Sequence, residues 1–264
     1  MATMRTTGVI LYEYPFNERV RNLLRLEDQF QRLFFFAQQE DPRAHHAALT
    51  TLFEITDSVA RSSGRADIRT DLLHDLERQR LALIALREHP AVQADLLDAT
   101  IQQIQDILAE LGAQGKPGDT MLRQHEWLNT LRSRLVIPGG VCEFDMPSYF
   151  AWQNRPPEER ISDLQQWYGP LLPLYNALDL DLHLLRQNAD TSEVLAKDGM
   201  FQQSPDGRPY QLLRVYLPDD SRMFPEISAN KYSISIRFAI QDGPGKPHHV
   251  SDDVAFHMGL CTSF

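Results

Sequence analysis

The chain has 264 residues, 42% hydrophobic and 9% aromatic, with 26 basic and 36 acidic side chains and a net charge of -10. That length and apolar content can bury about three quarters of the surface exposed by the unfolded chain, which excludes a disordered protein and suffices for one large core or two modest ones. The acidic balance excludes a general nucleic-acid binder, because such binding draws its affinity from a basic face that neutralises phosphates.

The predicted elements begin with a strand-like run from Gly8 to Tyr14. Asn17 is an N-cap for a first amphipathic helix that places Val20, Leu23, Leu24, Phe30, Leu33, Phe34 and Ala37 on one face. Asp41-Pro42 starts a second helix, carrying Leu49, Leu52, Phe53 and Val59 until Ser62-Ser63-Gly64 stops it. A third helix runs from about Asp67 to Arg87. In the fourth, Leu97, Ile101, Ile104, Leu108 and Leu111 form a regular packing seam. Gly112 to Gly118 breaks it, and a fifth helix holds Leu122, Leu128, Leu131 and Leu135 before Pro138-Gly139-Gly140.

Beyond Ile137 the pattern changes. Val141 to Met146 alternates like a half-buried strand closed by Pro147. A helical stretch then runs from Pro156-Pro157 through Leu164, Trp167, Leu174 and Leu182 to Leu185, with breaks or kinks expected at Pro170 and Pro173. The remainder reads as strand: Leu212 to Leu217, Ser233 to Ile240, and, after the turn at Asp242-Gly243-Pro244-Gly245, Val254 to Leu260.

The fold class that follows is α+β. A helical bundle domain, residues 17–135, is inserted between a short N-terminal strand and a C-terminal antiparallel, sandwich-like β-domain. The β-rich domain comprises residues 7–16 plus 136–264, with the extra helical stretch near 157–187. The N-terminal run has no strand neighbour nearby in sequence, so it should pair with the distant sheet.

No signature of a reaction is present. Cys142 and Cys261 form neither a disulfide framework nor a zinc motif, which reads as a reducing compartment. With no membrane-spanning run and no signal-type apolar core, the expected location is the cytoplasm, without membrane insertion. There is no nucleophile elbow and no phosphate-binding glycine loop. Asp179 with His183 reads as a solvated helix face, and His248, His249, Asp252 and Asp253 as a polar loop, so neither metal nor cofactor is expected. A metal-dependent hydrolase built on those groups is the enzymatic alternative.

Basic residues stand out instead. Only Lys116, Lys197, Lys231 and Lys246 are lysine, and the rest are arginine, whose planar fork suits carboxylates. On the first helix Arg21, Arg25 and Arg32 project as one stripe opposite the apolar face, interrupted by Asp28 and Gln29.

The run Ile137-Pro138-Gly139-Gly140-Val141-Cys142-Glu143-Phe144-Asp145-Met146-Pro147 resembles the Ile-Pro-Gly-Gly…Cys…Phe-Asp-Leu-Pro segment of the ZapD (YacF-like) family of cell division proteins. Four further stretches agree in order and spacing: Tyr14-Pro15-Phe16-Asn17-Glu18 with Leu24-Arg25-Leu26-Glu27; Arg69 to Leu73; Phe224 to Ser228; and Lys231 followed by Arg237-Phe238. The resemblance implies a non-enzymatic homodimer that binds the C-terminal peptide of the tubulin-like GTPase FtsZ. It would cross-link FtsZ filaments into bundles at the midcell Z-ring. The family's peptide site is a basic pocket. Arg25 and Arg65 match its pattern, whereas Glu126, Phe150 and Ser233 stand at positions that are basic or histidine in the family. Arg21, Arg69, Arg132, Arg134, Lys231 and Arg237 are the cations available to complete the site. The alternative is a peptide- or ligand-binding adaptor with a different partner.

Overall fold

The computed structural model describes residues 8–61, 67–87, 93–113 and 125–262. By its internal contacts the chain divides into two units: a β-rich unit of residues up to Asn22 together with those from Leu182 onward, and a helical unit, Leu23–Asp181. The division therefore falls within two helices, Glu18–Ala37 and Leu172–Gln187.

In the β-rich unit, β1 (Val9–Pro15) pairs antiparallel with β4 (Tyr210–Pro218), Tyr12 opposite Val215 and Tyr14 opposite Leu213. The N-terminal strand thus finds its partner some two hundred residues away, as its isolation in sequence required. β4 pairs in turn with β8 (Val254–Thr262), and β8 with β2 (Ala189–Ala196), giving the order β1-β4-β8-β2. A second sheet has the order β3-β6-β5, built from β3 (Met200–Gln203), β6 (Ile234–Ile240) and β5 (Met223–Ala229). The two-residue β7 (His248–His249) adds a short pairing on β6.

Period-two alternation makes the core between the sheets. Ile234, Ile236 and Phe238 of β6 are buried with Leu213, Val215 and Leu217 of β4 and Val254, Phe256, Met258 and Leu260 of β8. Phe238 and Phe256 meet edge-on across the sandwich, centroids 5.0 Å apart. Strands β2, β3, β5 and the short β7 were not expected, and β2 and β3 are consecutive. They join through Asp198 (φ 49°) and Gly199 (φ 68°), the two left-handed residues of a tight hairpin turn. At Gly199 a Cβ would lie 2.1 Å from the Val250 carbonyl oxygen, so only glycine fits.

The helical unit holds most of α1 (Glu18–Ala37), then α2 (Pro42–Arg61), α3 (Ile68–Ala85), α4 (Ala94–Ala113), α5 (Glu126–Leu135), α6 (Pro147–Gln153), α7 (Pro157–Tyr168) and the first part of α8 (Leu172–Gln187). Its starts are chemically capped. The Asn17 side chain accepts from the Val20 amide at 2.9 Å, Asp41 from Arg43 at 2.7 Å and Asp67 from Arg69 at 3.2 Å. As the prolines dictated, α7 and α8 are separated by a 3-10 turn, Gly169–Leu171. On α4 the expected seam is buried at Leu97, Ile101, Ile104 and Leu111, and it packs on α3. The stop signals at Ser62-Ser63-Gly64 and most of Gly112–Gly118, with Leu122, lie outside the described residues.

Aromatic side chains hold the later helices together. All three tryptophans of the chain, Trp127 on α5, Trp152 on α6 and Trp167 on α7, form one cluster with centroids 5.6 to 6.1 Å apart, and Tyr149 stacks on Trp152 at 5.9 Å.

One expected strand is absent. Residues 141–146 form turns rather than a strand, with the Cys142 amide donating to the Gly139 carbonyl and the Asp145 and Met146 amides to that of Cys142. Gly139, at φ 72°, turns the chain back on itself, and Cys142, Glu143, Phe144 and Asp145 are exposed. Local turn bonds satisfy this backbone, so the alternation seen in sequence has no sheet to join.

Candidate functional site

Within the β-rich unit, Arg21 sits on the first turn of α1, 3.1 Å from Glu18, its guanidinium 5.7 Å from the centroid of the Tyr14 ring. Lys231 and Arg237 are exposed in and beyond the turn joining β5 to β6. The Lys231 ammonium lies 4.8 Å from the Tyr232 ring centroid, and Arg237 is opposite Glu226 in the β5–β6 register. Ser233 is part of the same turn: its amide and that of Tyr232 both donate to the Asn230 side chain, at 3.1 and 2.8 Å. The position therefore closes a hairpin and contributes no cation.

Within the helical unit, Arg25 is exposed on α1 among the buried residues Leu23, Leu26 and Glu27. Arg32, on the same helix, pairs with Asp28 at 3.0 Å and reaches Glu54 of α2 at 3.5 Å. The helix thus presents its arginines outward, and Arg32 is spent on local neighbours. Arg65 lies outside the described residues.

Two predicted cations have structural employment. Arg69 donates from Nε and Nη2 to the Leu111 carbonyl, at 3.1 and 2.9 Å, and from Nη2 to that of Gly112 at 3.2 Å. It caps the carbonyl end of α4, where a cation also complements the helix dipole. Arg132 pairs with Asp57 and ties α5 to α2. Arg134, by contrast, is exposed and lines an open cleft of about 670 Å³ with Glu126, Trp127, Asp145, Met146 and Pro147. Glu126 begins α5 at the rim of this cleft, and Phe150 is 48% exposed on α6. Acidic and aromatic groups therefore stand at two positions that the resemblance leads one to expect basic or histidine.

Sequence reasoning missed Arg160, which is only 3% exposed. It donates to His45 Nδ1 at 3.0 Å, to the carbonyls of Gln153 and Arg155 at 2.5 and 2.8 Å, and to that of Glu40. Burial and the adjacent guanidinium lower the pKa of His45. Nothing in the local sequence distinguishes this arginine from its exposed neighbours.

The remaining candidates are separated by their contacts. His248 faces Asp242 at 3.9 Å, His249 faces Glu226 at 3.8 Å, and Asp253 accepts from the Asp198 amide at 3.0 Å. Asp179 and His183 are exposed, and His183 contacts Gln187 at 2.8 Å. Among the described residues no group of three or more His, Cys, Asp or Glu side chains is arranged to hold a metal ion. Cys261 is buried, its thiol pushed up to about 11 by burial, which makes it a poor nucleophile. Among the described residues no helix is long and apolar enough to cross a membrane.

The family model ZapD, described as a cell division protein, matches residues 24–237. The chain is 52% identical over 256 residues, 97% of its own length and 99% of theirs, to proteins named cell division protein ZapD from Bordetella pertussis, Bordetella bronchiseptica and Bordetella parapertussis. A single family model spanning both units and an identity of this extent leave one assignment: the chain belongs to the ZapD family of non-enzymatic cell division proteins.

Proposed function

We propose that the chain binds the C-terminal peptide of FtsZ and, as a homodimer in the cytoplasm at the midcell division site, cross-links FtsZ filaments into bundles that support Z-ring assembly. The observation that carries this reading is the end-to-end 52% identity to cell division proteins named ZapD. The exposed Arg25 on α1 supports it chemically. An acidic peptide docking on arginines makes contacts worth about 0–1 kcal/mol each at an exposed surface, so one site binds weakly and with salt sensitivity. Two sites on a dimer add avidity once both engage a filament, and weak single contacts then suffice to bundle polymers. Arg69 and Arg132 also serve the fold, so the candidate contacts are Arg25 and Arg134 in the helical unit and, taken separately, Arg21, Lys231 and Arg237 in the β-rich unit, with Arg65 kept from the resemblance.

Fluorescence anisotropy of a labelled FtsZ C-terminal peptide, titrated with the chain at low and high salt, tests the proposal. Saturable binding that weakens with salt supports it. A peptide that stays free at low salt overturns it.

A further inference from the structure

Two adjacent histidines fasten the start of α2 to different later elements of the helical unit. His45 Nδ1 accepts from Arg160 Nε at 3.0 Å, and His46 Nδ1 lies 2.8 Å from the Tyr149 hydroxyl of α6. Arg160, on α7, also donates to the carbonyls of Gln153 and Arg155, at the corner between α6 and α7, and to that of Glu40, just ahead of α2. One buried guanidinium therefore clamps two chain corners together, and among the described residues His45 supplies its one side-chain acceptor. The α6–α7 corner has ties of its own that do not involve α2. Trp152 Nε1 donates to Asp163 at 2.8 Å, and Arg155 reaches the same carboxylate at 3.5 Å. Freed from the clamp, the corner moves as one piece.

The two histidines differ in what a proton does to them. A guanidinium only donates, so Nδ1 of His45 has to be bare to accept from it. A proton on that nitrogen sets two N–H groups against each other and two cations side by side. The Tyr149 hydroxyl both donates and accepts, so a protonated His46 keeps its bond by reversing it. Around His45 the charged groups are Arg160 from α7, which opposes a second cation, and Asp41 from the head of α2, which favours one. The Gln39 backbone also favours the charged ring, and the Trp152 ring of α6 lies 6.1 Å away. Tyr149 of α6 is the titratable group facing His46. We infer that His45 and Arg160 form a proton-operated latch: a proton on His45 expels the guanidinium, frees the α6–α7 corner from the α1–α2 corner, and leaves α6 hinged on the His46–Tyr149 bond.

Amide NMR of the full chain, titrated from about pH 8 to about pH 4.5, tests the latch. Amides of residues 38–45 and 153–160 should shift together with one midpoint below 6.5, while those of α4 stay in place. The Arg160 Nε proton, protected at neutral pH, should become exchangeable through the same transition. His45→Asn, which keeps an uncharged acceptor at the δ position, should abolish the transition, and His46→Asn should retain it. Corner amides that do not shift, a transition shared by α4, or an Arg160 Nε proton that stays protected overturns the inference. So does a transition that survives His45→Asn or is lost in His46→Asn. Where circular dichroism shows that a variant has not folded, the wild-type titration decides alone.

Discussion

Arg160 Nε donates to His45 Nδ1 at 3.0 Å, with both side chains almost wholly buried in the helical unit. The bond leaves the His45 proton on Nε2, which among the described residues has no partner. A buried guanidinium is thus satisfied by one imidazole and three backbone carbonyls, from Glu40, Gln153 and Arg155. Replacing it strands all of them. Arg160→Met should lower the stability of the helical unit by about 3 kcal/mol. Urea unfolding followed by tryptophan fluorescence reads this directly, because Trp152 lies 6.1 Å from the His45 ring.

The same pair sets a pH dependence. Burial lowers the pKa of both His45 and His46 below the ordinary 6.5, so the unfolded chain binds these protons more tightly than the folded one. Stability is therefore full above that value, falls as pH drops through 6.5, and stops falling only below the lowered folded values. At His45 burial is the main cost and a second cation beside Arg160 adds to it, while the Gln39 backbone and Asp41 offset part of it. Urea midpoints should decline over this window, and His45→Gln should decline less steeply. A midpoint independent of pH there would contradict the burial of both rings.

Arg69 and Arg132 differ from Arg25 in what their removal should do. Arg69→Ala uncaps α4, and Arg132→Ala releases Asp57, so each should cost about 1–2 kcal/mol of stability. Arg25→Ala, at an exposed position, should change stability by less than about 0.5 kcal/mol. Thermal melts of the three variants separate structural arginines from binding ones.

Glu13 of β1 accepts from Arg186 at 2.9 and 2.6 Å and from Arg214 at 3.0 Å. It joins the first strand to β4 and to the end of α8 in the β-rich unit. Glu13→Gln removes the anion between two guanidinium groups, and a loss of about 2 kcal/mol is expected. Hydrogen exchange at β1 amides should rise in this variant, while exchange in α3 and α4 stays as in wild type.

Much of this fold was legible from residue patterns. The helix starts at Asn17, Asp41 and Asp67 follow from side chains that can accept an orphan amide, and β4, β6 and β8 from alternation. Polar composition hid β2, Ala-Asp-Thr-Ser-Glu-Val-Leu-Ala, because an edge strand exposed along most of its length shows little alternation. Asp198-Gly199 was its one local signal. Pro225 disguised β5, which tolerates it as an edge strand. The reverse error at Val141–Met146 came from a six-residue alternation whose backbone is already satisfied by turns. For the site, charge type was visible in sequence but occupancy was not. Nothing short of the fold could reveal that Arg69 ends a distant helix or that Arg160 is buried.

Co-sedimentation with assembled FtsZ measures the filament partnership most directly. At low salt the chain should pellet with FtsZ polymers and raise the pelleted fraction by bundling, and Arg25→Glu should reduce both while its helical circular dichroism matches wild type. High salt should release the chain. FtsZ polymers that pellet alike with and without the chain, and leave it in the supernatant at low salt, would contradict the proposed function.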